Sequence, residues 1–235
     1  MLSILLAACI FTAYFIESVF GFGGTVIAIA AISYFIDIKT AILIGAYAAI
    51  CASSFILMTG YKSFSLSHLI RIYTYALPGV FIGTVIFLYT SPVFLLKFFA
   101  LFLIFYSLYS FWKPDFRMSP LVSRIVLFFS GLIQGIYGTG GPFMLMAYGH
   151  EFKTKSELRS MVAAFLLFGN VVRVIQMYFM GQLDTAVFIE NWWIIVPVAI
   201  AVFSGFTLHK RLSDSVFKKG VFALMLIAGV SFLFK

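Results

Sequence analysis

The sequence predicts an all-α polytopic membrane protein built from two homologous halves, and three observations carry that prediction. The 235 residues are 63% hydrophobic and 10% charged, with a mean hydropathy of +1.10, whereas soluble domains run at about 45–50% apolar and about 25% charged. The apolar residues fall into runs of the roughly 20 residues that a helix needs to cross a ~30 Å hydrocarbon core. An octet near the start, ESVFGFGG (Glu17 to Gly24), returns 117 residues later as QGIYGTGG (Gln134 to Gly141). No polar stretch is long enough for a soluble domain, so residues 1–235 read as one transmembrane domain with half-repeats 1–115 and 116–235.

The apolar segments lie at about 2–36, 40–60, 68–90, 93–112, 121–149, 157–180, 186–208 and 214–234, separated by polar breaks such as DIKT, KPDFRMSP and HKRLSDS. Short segments of period two, the mark of a β-barrel, are not what these are. The opening MLSILLAACIFTAYF lacks the basic flank and cleavage site of a signal peptide and is expected to be mature helix. Residues 2–36 as one straight helix would be ~52 Å long, well beyond the membrane, so a break is expected at Gly21–Gly24. The second glycine segment, 121–149, raises the same problem. Trp112, Trp192 and Trp193 sit at segment ends, as interfacial aromatics do. Cys9 and Cys51 both lie in apolar runs, which argues against a disulfide framework or a cysteine zinc site.

Each broken segment either crosses the membrane or turns back within it, and basic residues discriminate. If both cross, six Lys/Arg (Lys62, Arg71, Lys113, Arg117, Arg124, Lys235) face nine on the other side, with Arg173 inside the bilayer. If both turn back, only Lys39, Lys97 and Lys235 oppose the other twelve. The positive-inside rule favours turning back, with the basic loops cytoplasmic and both termini on the periplasmic side. One hairpin plus three crossings per half is an odd number of crossings, so an inverted repeat is favoured over a parallel one. Pro78 and Pro197, 119 apart, and ALFLI and ALMLI, 123 apart, extend the match between the halves. Inverted repeats with discontinuous helices are a recurring transporter architecture. The formal charge of +8 fits basic cytoplasmic loops, and with no basic arm carrying interleaved aromatics no nucleic-acid partner is expected.

Irregular backbone survives at membrane depth only where it is buried or lines a cavity. The loops Gly21, Phe22, Gly23, Gly24 and Gly138, Thr139, Gly140, Gly141, with Pro142 favoured at a first helical position, would aim free N–H groups and the positive end of a restarting helix at an anion. Gly79/Gly83 and Gly131/Gly135 read instead as small-residue packing pairs. Glu17 and its counterpart Gln134 precede the loops by four residues. A charge there costs at least ~2.5–3.5 kcal/mol and needs a partner or a task, and a carboxylic acid that takes up a proton while buried would couple proton movement to transport. Arg173 reads as the one cation inside a span, three residues after Asn170 on one helix face, and its guanidinium would bind an oxoanion or pair with Glu17. Gln176 and Asn170 also suit helix–helix hydrogen bonds, and His150, Glu151 and Glu157 read as interface charges. There is no HExxH, no GxSxG and no histidine pair at metal spacing. No catalysis, cofactor or metal is therefore expected.

The loops GFGGT and GTGGP, with the LPG and VP prolines of the third and seventh segments, resemble the TauE/SafE sulfite exporter family over essentially the whole chain. That resemblance implies a carrier of the bacterial cytoplasmic membrane for sulfite, sulfoacetate or related organic anions, and points to Gly21, Gly23, Gly24, Gly138, Gly140, Gly141 and Pro142. Thr25 stands where the second half has Pro142. The expected function is secondary transport, as an exporter, of a small anion. A passive anion channel and, further off, a membrane-embedded enzyme are the alternatives.

Overall fold

The computed structural model describes residues 2–20, 23–60, 63–112, 118–209, 226, 229–230 and 232–234. Among the described residues ten α-helices follow in order: α1 (Leu2–Phe20), α2 (Gly24–Ile32), α3 (Ile38–Gly60), α4 (Leu66–Tyr89), α5 (Pro92–Trp112), α6 (Pro120–Tyr137), α7 (Gly141–Tyr148), α8 (Lys155–Phe179), α9 (Thr185–Glu190) and α10 (Ile195–His209). Short 3₁₀ turns at Gly149–Glu151 and Trp192–Ile194 follow α7 and precede α10, and no strand occurs among the described residues. Among the described residues, five stretches are long and apolar enough to cross a membrane: Leu2–Val19, Ile38–Gly60, Leu66–Tyr89, Pro120–Tyr137 and Ser156–Phe179. The protein is a multi-pass membrane protein. The predicted last span, 214–234, lies mostly outside the described residues.

Both glycine segments turn back. At nine and eight residues, α2 and α7 are only ~13 Å long, too short to finish a crossing. Gly24 lies so close to α1 that a Cβ built on it would sit 2.7 Å from the Ala13 carbonyl oxygen, seven residues before α1 ends. Gly140 likewise returns to α6, where the Ser130 hydroxyl donates to its carbonyl at 2.8 Å. Tyr148, the last residue of α7, and His150 just beyond it line one surface pocket with Pro120 and Arg124 from the start of α6, so this hairpin comes back to the face it left.

Local chemistry sets the helix ends. Asp37 Oδ1 accepts from the Thr40 amide ahead of α3, and the Ser119 hydroxyl and Pro120 open α6. Thr154 accepts from the Glu157 amide while Glu157 accepts from the Lys153 amide. Glu157 is thus a reciprocal cap in the first turn of α8 rather than a loop charge. The predicted span 186–208 is interrupted at Asn191–Ile194. Pro197 offers no N–H to the Trp193 carbonyl and its ring crowds it, which disfavours regular helix at this point. Pro78 stays inside α4, as membrane helices allow.

Among the described residues, three helix pairs make the largest contacts between the halves. α4 and α6 run parallel and touch backbone to backbone. A Cβ on Gly131 would stand 1.9 Å from the Ala76 carbonyl oxygen, and one on Gly79 2.2 Å from that of Phe128. The predicted Gly79/Gly83 and Gly131/Gly135 pairs therefore pack against each other. α1 packs on α10 through the same kind of contact. Gly83 meets the Leu132 carbonyl and Gly135, and Gly205 meets the Phe15 carbonyl and Ser18; 15 and 18 are 132 and 135 less the 117-residue motif spacing. α3 and α8 lie antiparallel, with the Ser160 hydroxyl donating to the Gly60 carbonyl at 3.0 Å.

Candidate functional site

Each hairpin is closed by the polar residue of its own octet. Glu17, 1% exposed, reaches across the turn so that its Oε2 accepts from the Thr25 amide at 3.1 Å in the first turn of α2. Gln134, fully buried, accepts the Gly140 amide on its Oε1 at 2.6 Å and donates from Nε2 to the Leu166 carbonyl at 3.3 Å. The matching use of an amide two residues later is closed to the second half, because Pro142 replaces Thr25 and has no N–H. The positive end of α2 is therefore held by a carboxylate of the chain itself, and that of α7 by a neutral amide oxygen.

The turns need glycine at two points: Gly23 has φ 95° and Gly138 φ 72°, a region that costs a residue with a Cβ roughly 1–2 kcal/mol. Gly24, Thr25, Thr139, Gly140, Gly141 and Pro142 are buried. Gly21 and Phe22, predicted members of the first loop, lie outside the described residues. Both turns abut α3 at consecutive residues. A Cβ on Gly45 would be 3.8 Å from the Thr25 methyl and one on Gly138 3.3 Å from the Ala46 Cβ, and the Tyr14 hydroxyl donates to the Gly45 carbonyl at 2.8 Å.

α8 supplies the charge. Arg173 is 1% exposed; its Nη2 donates to the Ile136 carbonyl at 3.2 Å and the guanidinium lies 4.4 Å from the centre of the Phe87 ring. Its Nε has no hydrogen-bond partner, and among the described residues no carboxylate forms an ion pair with it. Lys39 Nζ stands 5.9 Å from the centre of the same ring. Asn170 donates from Nδ2 to the Gly138 carbonyl at 3.1 Å and to the Leu166 carbonyl at 3.0 Å, leaving its buried Oδ1 unpartnered. Arg173 Nη1 and Asn170 Oδ1 both flank Gly138. The structure thus brings together Gly138, Asn170 and Arg173, and holds Glu17 and Arg173 apart as far as an ion pair is concerned. Gln176 makes the expected helix–helix bond, to the Phe81 carbonyl at 3.0 Å.

Sequence reasoning missed Arg159. It follows the polar run HEFKTKSE, so hydropathy assigns it to the interface, yet it is 5% exposed within the Ser156–Phe179 span. Arg173 is therefore not the only cation inside a span. Arg159 Nη2 donates to the Ser18 hydroxyl at 3.1 Å, and its guanidinium lies 5.1 Å from the centre of the Phe206 ring. No group of His, Cys, Asp and Glu that could hold a metal ion occurs among the described residues.

The arrangement places two buried guanidinium groups on one helix, beside backbone turns whose irregularity the bilayer would otherwise penalise. A family model described as Sulfite exporter TauE/SafE matches residues 6–232. The probable inner membrane transporter protein TsaS of Comamonas testosteroni is 21% identical over 102 residues, 43% of each chain. The match thus spans less than half of that protein's length. No solved structure matches the chain. Family and relative point to transport rather than catalysis.

Proposed function

Because the chain belongs to the TauE/SafE sulfite exporter family, we propose that it is a secondary transporter that exports a small anion, such as sulfite or an organosulfonate, across the bacterial inner membrane, with Glu17 coupling that movement to protons. One observation carries the reading: Arg173 is a fully buried cation with no carboxylate partner among the described residues. A buried, uncompensated charge is strongly destabilising, so an anion arriving at Gly138, Thr139 and Asn170 would be held by the guanidinium through charge-assisted bonds. Gly140, Gly141 and Pro142 shape the turn and start α7. The nearby Lys39 adds a second positive charge.

Glu17 is the coupling group. It faces Tyr14 of its own helix, the amides at the start of α2 and Arg159 of α8. While ionised, it occupies the positive end of α2; once protonated, it no longer opposes a second anion there. Anion and proton then bind together. Gln134 holds the same place in the other hairpin without a titratable group.

The inverted repeat is part of the proposal. It is supported by the reciprocal pairing of α1 with α10 and α6 with α4 and by the 117-residue offset of their contact points. Each hairpin with its partner helix from the other half would rock about α3 and α8 in alternating access. The basic loops would be cytoplasmic and both termini periplasmic.

The test is counterflow and uptake of radiolabelled sulfite and of a short alkanesulfonate in proteoliposomes, with and without an imposed proton gradient. Saturable transport by the wild type, lost in Arg173→Ala, supports the site. Glu17→Gln should keep counterflow and lose gradient-driven accumulation. Full transport by Arg173→Ala would sink the site assignment, and passive non-saturating conductance would identify a channel instead.

A further inference from the structure

We propose that Arg159 marks a second station for the transported oxoanion, at the other end of α8 from Arg173. This rests on the transport reading above and deepens it. The two arginines are 14 residues apart on one helix, which sets them ~21 Å apart along its axis. Their surroundings correspond. Each guanidinium lies against a phenylalanine ring, Phe87 of α4 or Phe206 of α10, and these are 119 residues apart, the same spacing as Pro78 and Pro197. Each donates to the last turn of a hairpin's first helix, Arg173 to Ile136 of α6 and Arg159 to Ser18 of α1. Shifted by the 117-residue motif spacing, Ser18 falls at Gly135, next to Ile136. In each guanidinium the Nε is buried and has no hydrogen-bond partner. Among the described residues neither arginine forms an ion pair with a carboxylate.

The stations differ in one charge. In the hairpin that Arg173 bonds, the polar residue is the neutral Gln134. Beside Arg159 it is Glu17, close enough to act on Arg159 electrostatically yet bonded to the Thr25 amide. Arg159 and the positive end of α2 thus share one resident carboxylate, while Arg173 has none. An anion binds first at Arg173 and reaches Arg159 when the Glu17 charge is removed. Ser18, whose hydroxyl donates to the Val202 carbonyl at 2.6 Å and accepts from Arg159, ties this station to α10.

The experiment is equilibrium binding of radiolabelled sulfite, sulfate and methanesulfonate to the purified protein in nanodiscs. Glu17→Gln, which copies the residue of the other hairpin, should bind two anions per chain, with the weaker site tightened on the order of tenfold relative to wild type by removal of one like charge. Glu17→Gln/Arg159→Gln should bind one. Glu17→Gln/Arg173→Ala should keep the other, and each retained site reports that its variant is folded. One site per chain in Glu17→Gln, unaffected by Arg159→Gln, overturns the second station and leaves the Arg173 site standing. Two sites unaffected by Arg173→Ala overturn the first reading, and no binding of any of the three anions overturns both.

Discussion

Replacing Gly140 by alanine adds a single methyl carbon where the second hairpin closes on α6. Its φ of −95° is open to any residue, so the cost is steric. The new carbon would stand 2.2 Å from the Ser130 carbonyl oxygen and 3.0 Å from both the Gln134 Cβ and a Phe165 ring carbon. None of these is the free end of a flexible side chain, so the turn must move off α6. Overpacking of this kind costs about 1–3 kcal/mol. The move also strains the Ser130 and Gln134 hydrogen bonds to Gly140, each worth about 0.5–1.5 kcal/mol net. The smaller unfolded-state entropy of alanine returns about 0.4–1 kcal/mol, leaving a net loss of about 1–5 kcal/mol. In a chain of this size that corresponds to a melting temperature lower by at least about 2 °C, read by thermal unfolding in detergent. Gly149→Ala is the control, since nothing there comes closer than 3.7 Å. If Gly140→Ala melts with the wild type while Gly149→Ala does too, the close approach of hairpin and helix is wrong.

Two further perturbations separate packing from charge. Gly131→Ala forces α6 away from the Ala76 carbonyl and should destabilise by about 1–3 kcal/mol despite alanine's better helix propensity; melting at or above the wild-type temperature would refute the backbone-to-backbone contact. Asn170→Asp is isosteric and puts a carboxylate beside Gly138, close to the Arg173 guanidinium. It should cut anion transport at least tenfold and, by losing the Nδ2 bonds to the Gly138 and Leu166 carbonyls, lower the melting temperature, whereas wild-type transport would show that the anion does not bind there.

The class and the long spans were legible in the sequence, and its basic residues favoured hairpins over crossings for the two glycine segments. Lipid cannot satisfy backbone N–H and C=O groups, so each segment must carry its own hydrogen bonds and its length must match the bilayer. Both constraints are local and legible in hydropathy and in the glycine positions. The GxxxG pairs were legible for the same reason: a small residue on a membrane helix has little purpose but close approach. Only the tertiary structure decided that Gly79/Gly83 meet Gly131/Gly135, that Glu17 closes its own hairpin instead of meeting Arg173, and that Arg159 is buried. Hydropathy places a residue along the membrane normal, whereas burial and partnership depend on which helices lie beside it. That lateral choice comes from long-range packing of α1 on α10 and α3 on α8, where Ser18 and Phe206 arrive at Arg159 from opposite ends of the chain.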